Sequence, residues 1–546
     1  MRDFRQPRWL ERFPDWALAG GILVVLMVIS AFIRTRYLSA EFWMDEAITT
    51  GIASHPLTAI PGLLRHDGSP PLFYVLLHFW MSAFGSSESA THALTAVFGV
   101  LTVPAGMWAG WSLFGKRAGV MAAILFAFNA WLTQYAQETR MYELMGLLGI
   151  IATAAFIHAF VYRRRKYLIV FAVTQALMLY THAWGLFFGA AAVLALIPIW
   201  QTSEDRRGLV RDAVMTFVGA GILFTPWLPN FIYQSTHTGA PWAPPPRFGA
   251  PVLISQDLMG GDRVTVSLFL GTIIGVAHLF TRRYRRTRDA TVLWTLIVLP
   301  VATLALAWLA SQITPAFVSR YFAPVLASML LLAAWGCSRS GVVGWAAVLL
   351  SVLFVVHVST YAHPYKSDMR DVAAEMRPYL HQHDVVLVAQ PEQTPLAYYY
   401  LPGGPKYFKY VTTLGRVSDP TYMNWVYALS RLQKARPATT LQPLLASLKP
   451  GQQILFIRPL TEGAMNWLAP WTRLVRRRSA EWGAILANDP RLQEVATAPH
   501  NYRGVCCVAD SAILYRELPP GQSAFTTSGG SPSSGSASTS PPPITP

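Results

Sequence analysis

The sequence predicts an α-helical polytopic membrane protein of about eleven transmembrane helices, with a small α/β domain and a disordered tail after them. Three observations predict it. Of 546 residues, 53% are hydrophobic and only 13% charged, too few charges to clothe a water-soluble chain of this length. The apolar residues fall in runs long enough to cross a hydrocarbon core of about 30 Å. Basic residues gather in short segments between those runs, so the net charge of +16 orients the chain in a bilayer and does not point to nucleic acid.

The elements follow in order. Residues 1–16 carry four arginines ahead of the apolar run 17–33. A signal peptide has a shorter apolar core and a small-residue cleavage site, so this run reads as an uncleaved first helix. Further runs cover 90–114, 118–134, 141–162, 167–181, 183–200, 213–232, 264–280, 291–310, 321–336 and 342–358. With the N-terminus cytoplasmic, the inner segments hold 19 Lys and Arg and the longer outer loops only 7, which fixes that orientation. Residues 17–358 then form the transmembrane domain, with a long first outer loop at 34–89. An odd number of spans puts everything after 358 outside, and the chain is expected in the plasma membrane.

Residues 359–518 are a different kind of sequence. Helical spacing at 367–380 and short β-branched or apolar runs at 384–389, 453–457 and 512–515 predict a small extracytoplasmic α/β domain. From 519 to 546 the chain is mostly Ser, Gly, Pro and Thr, which cannot bury a core and predicts disorder. The three cysteines, Cys337, Cys506 and Cys507, exclude a disulfide scaffold and a cysteine-rich metal cluster.

Chemistry is expected in the outer loops. The first contains Phe42-Trp-Met-Asp-Glu46 at the head of a helical stretch, 44–54, and then His66-Asp-Gly-Ser-Pro-Pro-Leu-Phe-Tyr74. Carboxylates beside a low-dielectric boundary are costly unless paired or used, so Asp45 and Glu46 are candidate functional groups; capping of their own helix is the plainer alternative. The Gly and two prolines after Asp67 predict a rigid turn before an apolar helix. The second loop reads Gln134-Tyr-Ala-Gln-Glu-Thr-Arg-Met-Tyr142. Arg140 there, and Arg320 in Ser319-Arg-Tyr-Phe322, lie at outer helix ends, where a guanidinium can grip a phosphate through two parallel bonds or simply reach the headgroups. His182 sits at another outer end, in Tyr180-Thr-His-Ala-Trp184. The arginine-rich stretch 473–478 reads as a solvated face or a contact for an anionic polymer.

This order of motifs resembles bacterial glycosyltransferases of the GT-C membrane fold, in particular those related to protein O-mannosyltransferases and to lipid A aminoarabinose transferase. The motifs are Trp-x-Asp-Glu, Asp-Gly-x-Pro-Pro-Leu-x-Tyr, Gln-Glu-x-Arg-x-Tyr and a late Arg-Tyr, and the resemblance spans 17–358. It implies an inverting enzyme that moves a sugar from a polyprenyl phosphate to an extracytoplasmic glycan, lipid or protein; no cofactor is expected, and no ligand cluster in the sequence points to a metal. It also implies a catalytic pair, Asp45 as general base and Glu46 positioning sugar or acceptor hydroxyls, and Arg140 and Arg320 on the donor phosphate. His66, Asp67, Glu138, Tyr142, His182 and Tyr321 would contact substrate. The chain has no room for the large insert of the eukaryotic mannosyltransferases, and it has no phosphate-binding glycine loop. A transporter or lipid flippase is the alternative, and a non-catalytic assembly protein a third; the first expects charged or broken helices at mid-membrane.

Overall fold

The computed structural model describes residues 15–277, 288–357, 366–460, 468–500 and 509–524. The N-terminal arginines, the basic segment 281–287, the start of the C-terminal domain at 359, Cys506, Cys507 and the tail from 525 lie outside the described residues.

Each of the eleven apolar runs carries helix within its described residues. The helices are α1 (Asp15–Arg34), α2 (Met44–Ala53), α3 (Ile60–Asp67), α4 (Leu72–Phe84), α5 (Glu88–Phe114), α6 (Lys116–Phe128), α7 (Ala130–Tyr135), α8 (Tyr142–Phe156), α9 (Lys166–Thr181) and α10 (Gly185–Thr202). They continue as α11 (Arg206–Phe224), α12 (Leu228–His237), α13 (Ala250–Met259), α14 (Asp262–Ala277), α15 (Arg288–Ile313), α16 (Ala323–Arg339) and α17 (Gly341–His357). Among the described residues, six helices are long and apolar enough to cross a membrane alone, and up to eight if two bent pairs each count once. The chain is thus a multi-pass membrane protein, with fewer unaided spans than the eleven expected.

The shortfall has local causes. Run 118–134 breaks at Asn129, whose side chain caps α7 by accepting from Leu132 N. Run 213–232 turns through 78° between α11 and α12, and α13 meets α14 at 84° across two left-handed glycines, Gly260 and Gly261. α12 therefore runs across the bundle's end and walls a cavity there through Phe231, Gln234 and Ser235.

The C-terminal region builds one six-stranded sheet in the order β3-β2-β1-β4-β6-β5. The strands are β1 (Val385–Val388), β2 (Lys409–Thr412), β3 (Gly415–Arg416), β4 (Gln453–Pro459), β5 (Leu492–Ala498) and β6 (Asp510–Glu517). β1 is parallel to β2 and β4; the outer pairings are antiparallel. β1 is buried along its whole length, as a strand covered on both faces must be, which is why its unbroken Val-Val-Leu-Val run was legible. β2, β3 and β5 were not foreseen: they are short or polar, and only pairing makes them strands.

This region packs onto the first loop. At Gly51 of α2 an added Cβ would fall 2.0 Å from the carbonyl oxygen of Thr421, so the two backbones touch where only glycine fits. His55 Nε2 meets Thr421 Oγ1 at 2.8 Å beside it.

Glu392, just after β1, is buried, and Trp471 Nε1 donates to it at 2.7 Å. Burial pushes its carboxyl up from an ordinary 4.5 to about 7, so the folded state keeps a proton that the unfolded state has lost. Stability therefore falls as pH rises from about 4.5 to about 7, by on the order of 3 kcal/mol. Glu392→Gln keeps an acceptor for Trp471 and is expected to flatten that decline. Melting temperatures of both proteins across this window check it; parallel pH profiles would count against it.

Candidate active site

The first turn of α2 points two adjacent carboxylates in different directions. Successive helical residues lie about 100° apart, so Asp45 faces the cavity while Glu46 turns into the protein. The acids' position at a helix N-terminus is favourable in itself, and Glu46 Oε2 accepts from Trp43 N at 3.1 Å.

Asp45 Oδ2 lies 3.5 Å from a terminal nitrogen of Arg320 and 4.0 Å from one of Arg140. Arg140 is fixed by donating to Thr49 Oγ1 at 2.6 Å and to the Asp45 carbonyl at 3.3 Å, both on α2. Arg320 stands in the 3₁₀ turn Ser319–Phe322 leading into α16. Its guanidinium is boxed by the rings of Trp43, Trp242 and Tyr321, with centroids 5.3, 5.1 and 5.7 Å away. Tyr321 in turn packs on His182 at 4.5 Å and on Tyr142 at 6.4 Å. Burial, and then the charges of Arg140 and Arg320, push His182 down to about 3, so its ring is neutral.

Asp45, Arg140, His182, Trp242 and Tyr321 line one end of a cavity of about 550 Å³, while Arg320 and Tyr142 are not among its lining residues and pack against Asp45 and Tyr321 respectively. Asp45, Asp67, Arg140, His182 and Tyr321 make the polar end; Trp184, Leu186, Phe187, Phe231, Ala310 and Ile313 make an apolar wall. Leu186 and Ile313 are themselves exposed, so that wall opens to the outside of the bundle. The shape suits a ligand with an anionic head and a hydrocarbon tail. Asp67, at the C-terminus of α3, is raised to about 6 by burial, against hydrogen bonds from Ser69 and the charge of Arg140. Gly68, left-handed at φ 103°, then turns the chain into the Pro-Pro segment as expected.

Three expected site residues are placed differently. Glu46 does not reach the cavity: it is fully buried, with His92 Nε2 at 2.6 Å, Lys366 Nζ at 3.0 Å and Thr139 N at 2.8 Å on its oxygens. These partners hold it below the usual carboxylate range against the opposing effect of burial. A catalytic role for Glu46 is thereby corrected to a structural one, because its oxygens are engaged by protein. Glu138 is buried beside the same cluster, and burial raises it. His66 is half-buried off the cavity wall, its carbonyl accepting from Trp425 N at 3.0 Å.

Sequence reasoning missed Lys366, His92, Trp242 and Trp425. His92 carried a signal: an ionisable side chain inside an apolar run. Lys366 carried none, since its partner lies 320 residues away. Among the described residues no group of three or more His, Cys, Asp or Glu is arranged to hold a metal ion.

No family model and no curated protein matches the sequence. Solved structures do match. The chain is similar to ArnT from Cupriavidus metallidurans in the apo state, at 14% identity, TM-score 0.56, covering 91% of this chain and 98% of that one. It is similar to the same protein bound to undecaprenyl phosphate, at 13% identity, TM-score 0.55, covering 92% and 98%. It is also similar to the archaeal oligosaccharyltransferase AglB from Archaeoglobus fulgidus, solved with an inhibitory peptide and a dolichol-phosphate, at 12% identity, TM-score 0.53, covering 86% and 72%. These are GT-C fold glycosyltransferases, and the fold of this chain is the GT-C fold.

Proposed function

We propose that this protein transfers a sugar from a polyprenyl phosphate to a hydroxyl-bearing acceptor on the extracytoplasmic side of the plasma membrane, with inversion at the anomeric carbon. One observation carries the reading: Asp45 stands between Arg140 and Arg320 where a cavity's polar end meets an apolar wall open to the bundle's exterior. The donor's phosphate would sit on the two guanidiniums and its hydrocarbon chain along that wall.

The chemistry follows from charge. With no donor, Asp45 is the counterion of both arginines, at distances too long for tight pairing. A phosphate entering between them takes over that pairing and frees the carboxylate to accept a proton. The acceptor oxygen attacks the anomeric carbon, its proton passes to Asp45, and the carbon–oxygen bond to the phosphate breaks with its electron pair left on phosphate. The arginines stabilise that charge in a water-poor site. Asp67 and neutral His182, with Tyr142 and Tyr321, would orient sugar hydroxyls. The long first loop and the C-terminal sheet share the extracytoplasmic side in this reading.

The test is release of polyprenyl phosphate from a panel of labelled polyprenyl phosphate sugars by purified protein, with membrane extract as acceptor. Turnover with at least one donor supports the reading, and none with any donor sinks it. Arg320→Gln is expected to lower kcat/KM for the active donor about 10- to 100-fold, the value of one charged hydrogen bond. Arg320→Lys should recover only part, because a point charge neither forks onto phosphate nor stacks among three rings. Equal kcat/KM in the wild type and Arg320→Gln would remove Arg320 from the phosphate site.

A further inference from the structure

A second cavity lies at the other end of the bundle. It holds about 360 Å³ between α1 and α5 and is lined by Gly20, Leu23, Pro104, Met107, Trp108 and Trp111. Glu88, at the start of α5, accepts from Arg370 and Tyr400 of the C-terminal region. Trp108 stands about 30 Å further along the same helix, at about 1.5 Å per residue, so this cavity is remote from Asp45. Val24, Val25 and Val28 of α1 are exposed, which makes α1 a peripheral helix and opens the cavity on the apolar outer surface of the bundle. At Gly20 an added Cβ would meet no atom within 4 Å.

The rim of this apolar cavity is basic. Ser112, also on its wall, has His158 Nε2 2.9 Å from its hydroxyl, and Arg164 donates to Nδ1 of the same ring at 3.3 Å. With Nδ1 accepting, Nε2 carries the hydrogen and donates to Ser112, so Arg164 is fixed two hydrogen bonds from the cavity. Trp108 stacks on Tyr167, centroids 6.4 Å apart, and the Lys166 ammonium lies 5.2 Å from that Tyr167 ring. His158 itself stands in a π-helical turn, Ile157–Val161, an element that concentrates at functional sites. Arg163 is neutralised by Asp205 and Asp212 at 3.5 and 3.0 Å. Among the described residues no acid pairs with Arg164, Arg165 or Lys166, all three exposed.

We propose that this cavity binds one anionic phospholipid of the cytoplasmic leaflet, with an acyl chain against Gly20 and the two tryptophans and its headgroup on Arg164 and Lys166. The lining selects a hydrocarbon chain over a water-soluble anion, because the space is apolar and faces the membrane. The cations select the headgroup: basic pockets between helices attract anionic lipid, whereas the ammonium of a zwitterionic lipid is repelled by the same charges. A second copy docking here by two-fold symmetry would set this basic cluster beside its own image. The site owes nothing to the glycosyltransfer reading and stands or falls apart from it.

The full-length protein is placed in phosphatidylcholine nanodiscs carrying a small fraction of phosphatidylglycerol or phosphatidylcholine with a diazirine in one acyl chain. After illumination, adducts are mapped by peptide mass spectrometry. Segments 19–23 and 104–112 are expected to be labelled at least five-fold more by the phosphatidylglycerol probe. Gly20→Leu puts a side chain into open space, so it is expected to keep the wild-type melting temperature and to lose labelling ten-fold or more. Arg164→Gln combined with Lys166→Gln leaves the cavity intact and is expected to be labelled equally by the two probes. Equal labelling of the wild type by both probes, or undiminished labelling in Gly20→Leu, overturns the proposal. Displacement of the probe by polyprenyl phosphate but not by unlabelled phosphatidylglycerol overturns it as well, and assigns the cavity to a polyprenyl lipid.

Discussion

Asp45→Asn is expected to lower kcat by about 100- to 10,000-fold, the usual contribution of a positioned general base. The change is nearly isosteric, and the amide oxygen can still accept from Arg320 and Arg140, so the pocket should keep its shape. What is lost is the ability to take a proton. Donor KM is therefore expected to stay within a few-fold of the wild-type value, since the arginines that would hold the phosphate are untouched. Single-turnover release of polyprenyl phosphate separates the two effects. Unchanged turnover would show that another group takes the proton; a collapse of donor binding with no chemical defect would make Asp45 a scaffold for the arginines.

The second large effect is expected behind the polar end of the cavity. Lys366 donates to both oxygens of Glu46, at 3.0 and 3.1 Å, and to the Gln137 carbonyl at 2.8 Å. The backbone nitrogens of Lys366, Ser367 and Asp368 all face Glu41 Oε1, at 3.1, 3.4 and 3.3 Å. This knot ties the C-terminal region to the first loop through Glu41 and Glu46, and to the second through Gln137 and Thr139. Asp45 and Arg140 are the chain neighbours of its members. Lys366→Met leaves a buried carboxylate without its main counter-charge and is expected to cost about 3–5 kcal/mol of stability. Turnover should fall with it, because both groups at the polar end of the cavity lose their backing. Adding Glu46→Gln removes the stranded charge and is expected to restore much of the stability. Thermal unfolding of the two single variants and the double variant closes the cycle. Additive losses would mean that Lys366 and Glu46 do not act as a pair.

Much of this was legible in the sequence because membranes impose simple rules. Apolar run length located the helices of the eleven runs but not α3 or α13, and the Asp-Gly-x-Pro-Pro turn and the helix at 44–54 were readable from local chemistry. Asp45, Asp67, Arg140 and Tyr321 were singled out as polar groups at outer helix ends, and the fold brings them to one cavity wall. What could not be read was direction. Asp45 and Glu46 are equivalent in one dimension; the helical rotation between them sends one to the cavity and the other to a buried cluster. Nor could α12 be read as lying across the bundle, since a 78° bend at Pro226 leaves the hydropathy of the run unchanged. Lys366 and Trp425 act only through contacts made at long range.

The pairing of Lys366 with Glu46 also sets a schedule. The acid is synthesised 320 residues before the lysine that neutralises it. During membrane insertion α2 must therefore wait, with a charge it cannot bury, until nearly every later helix has been threaded. Closing so large a loop adds little entropy beyond that of a moderate one, so the wait has slight thermodynamic consequence but orders events. The cavity's polar end is finished last, after the last transmembrane helix and only when the chain beyond it folds back, and a nascent or truncated copy holds its carboxylates without the geometry to use them.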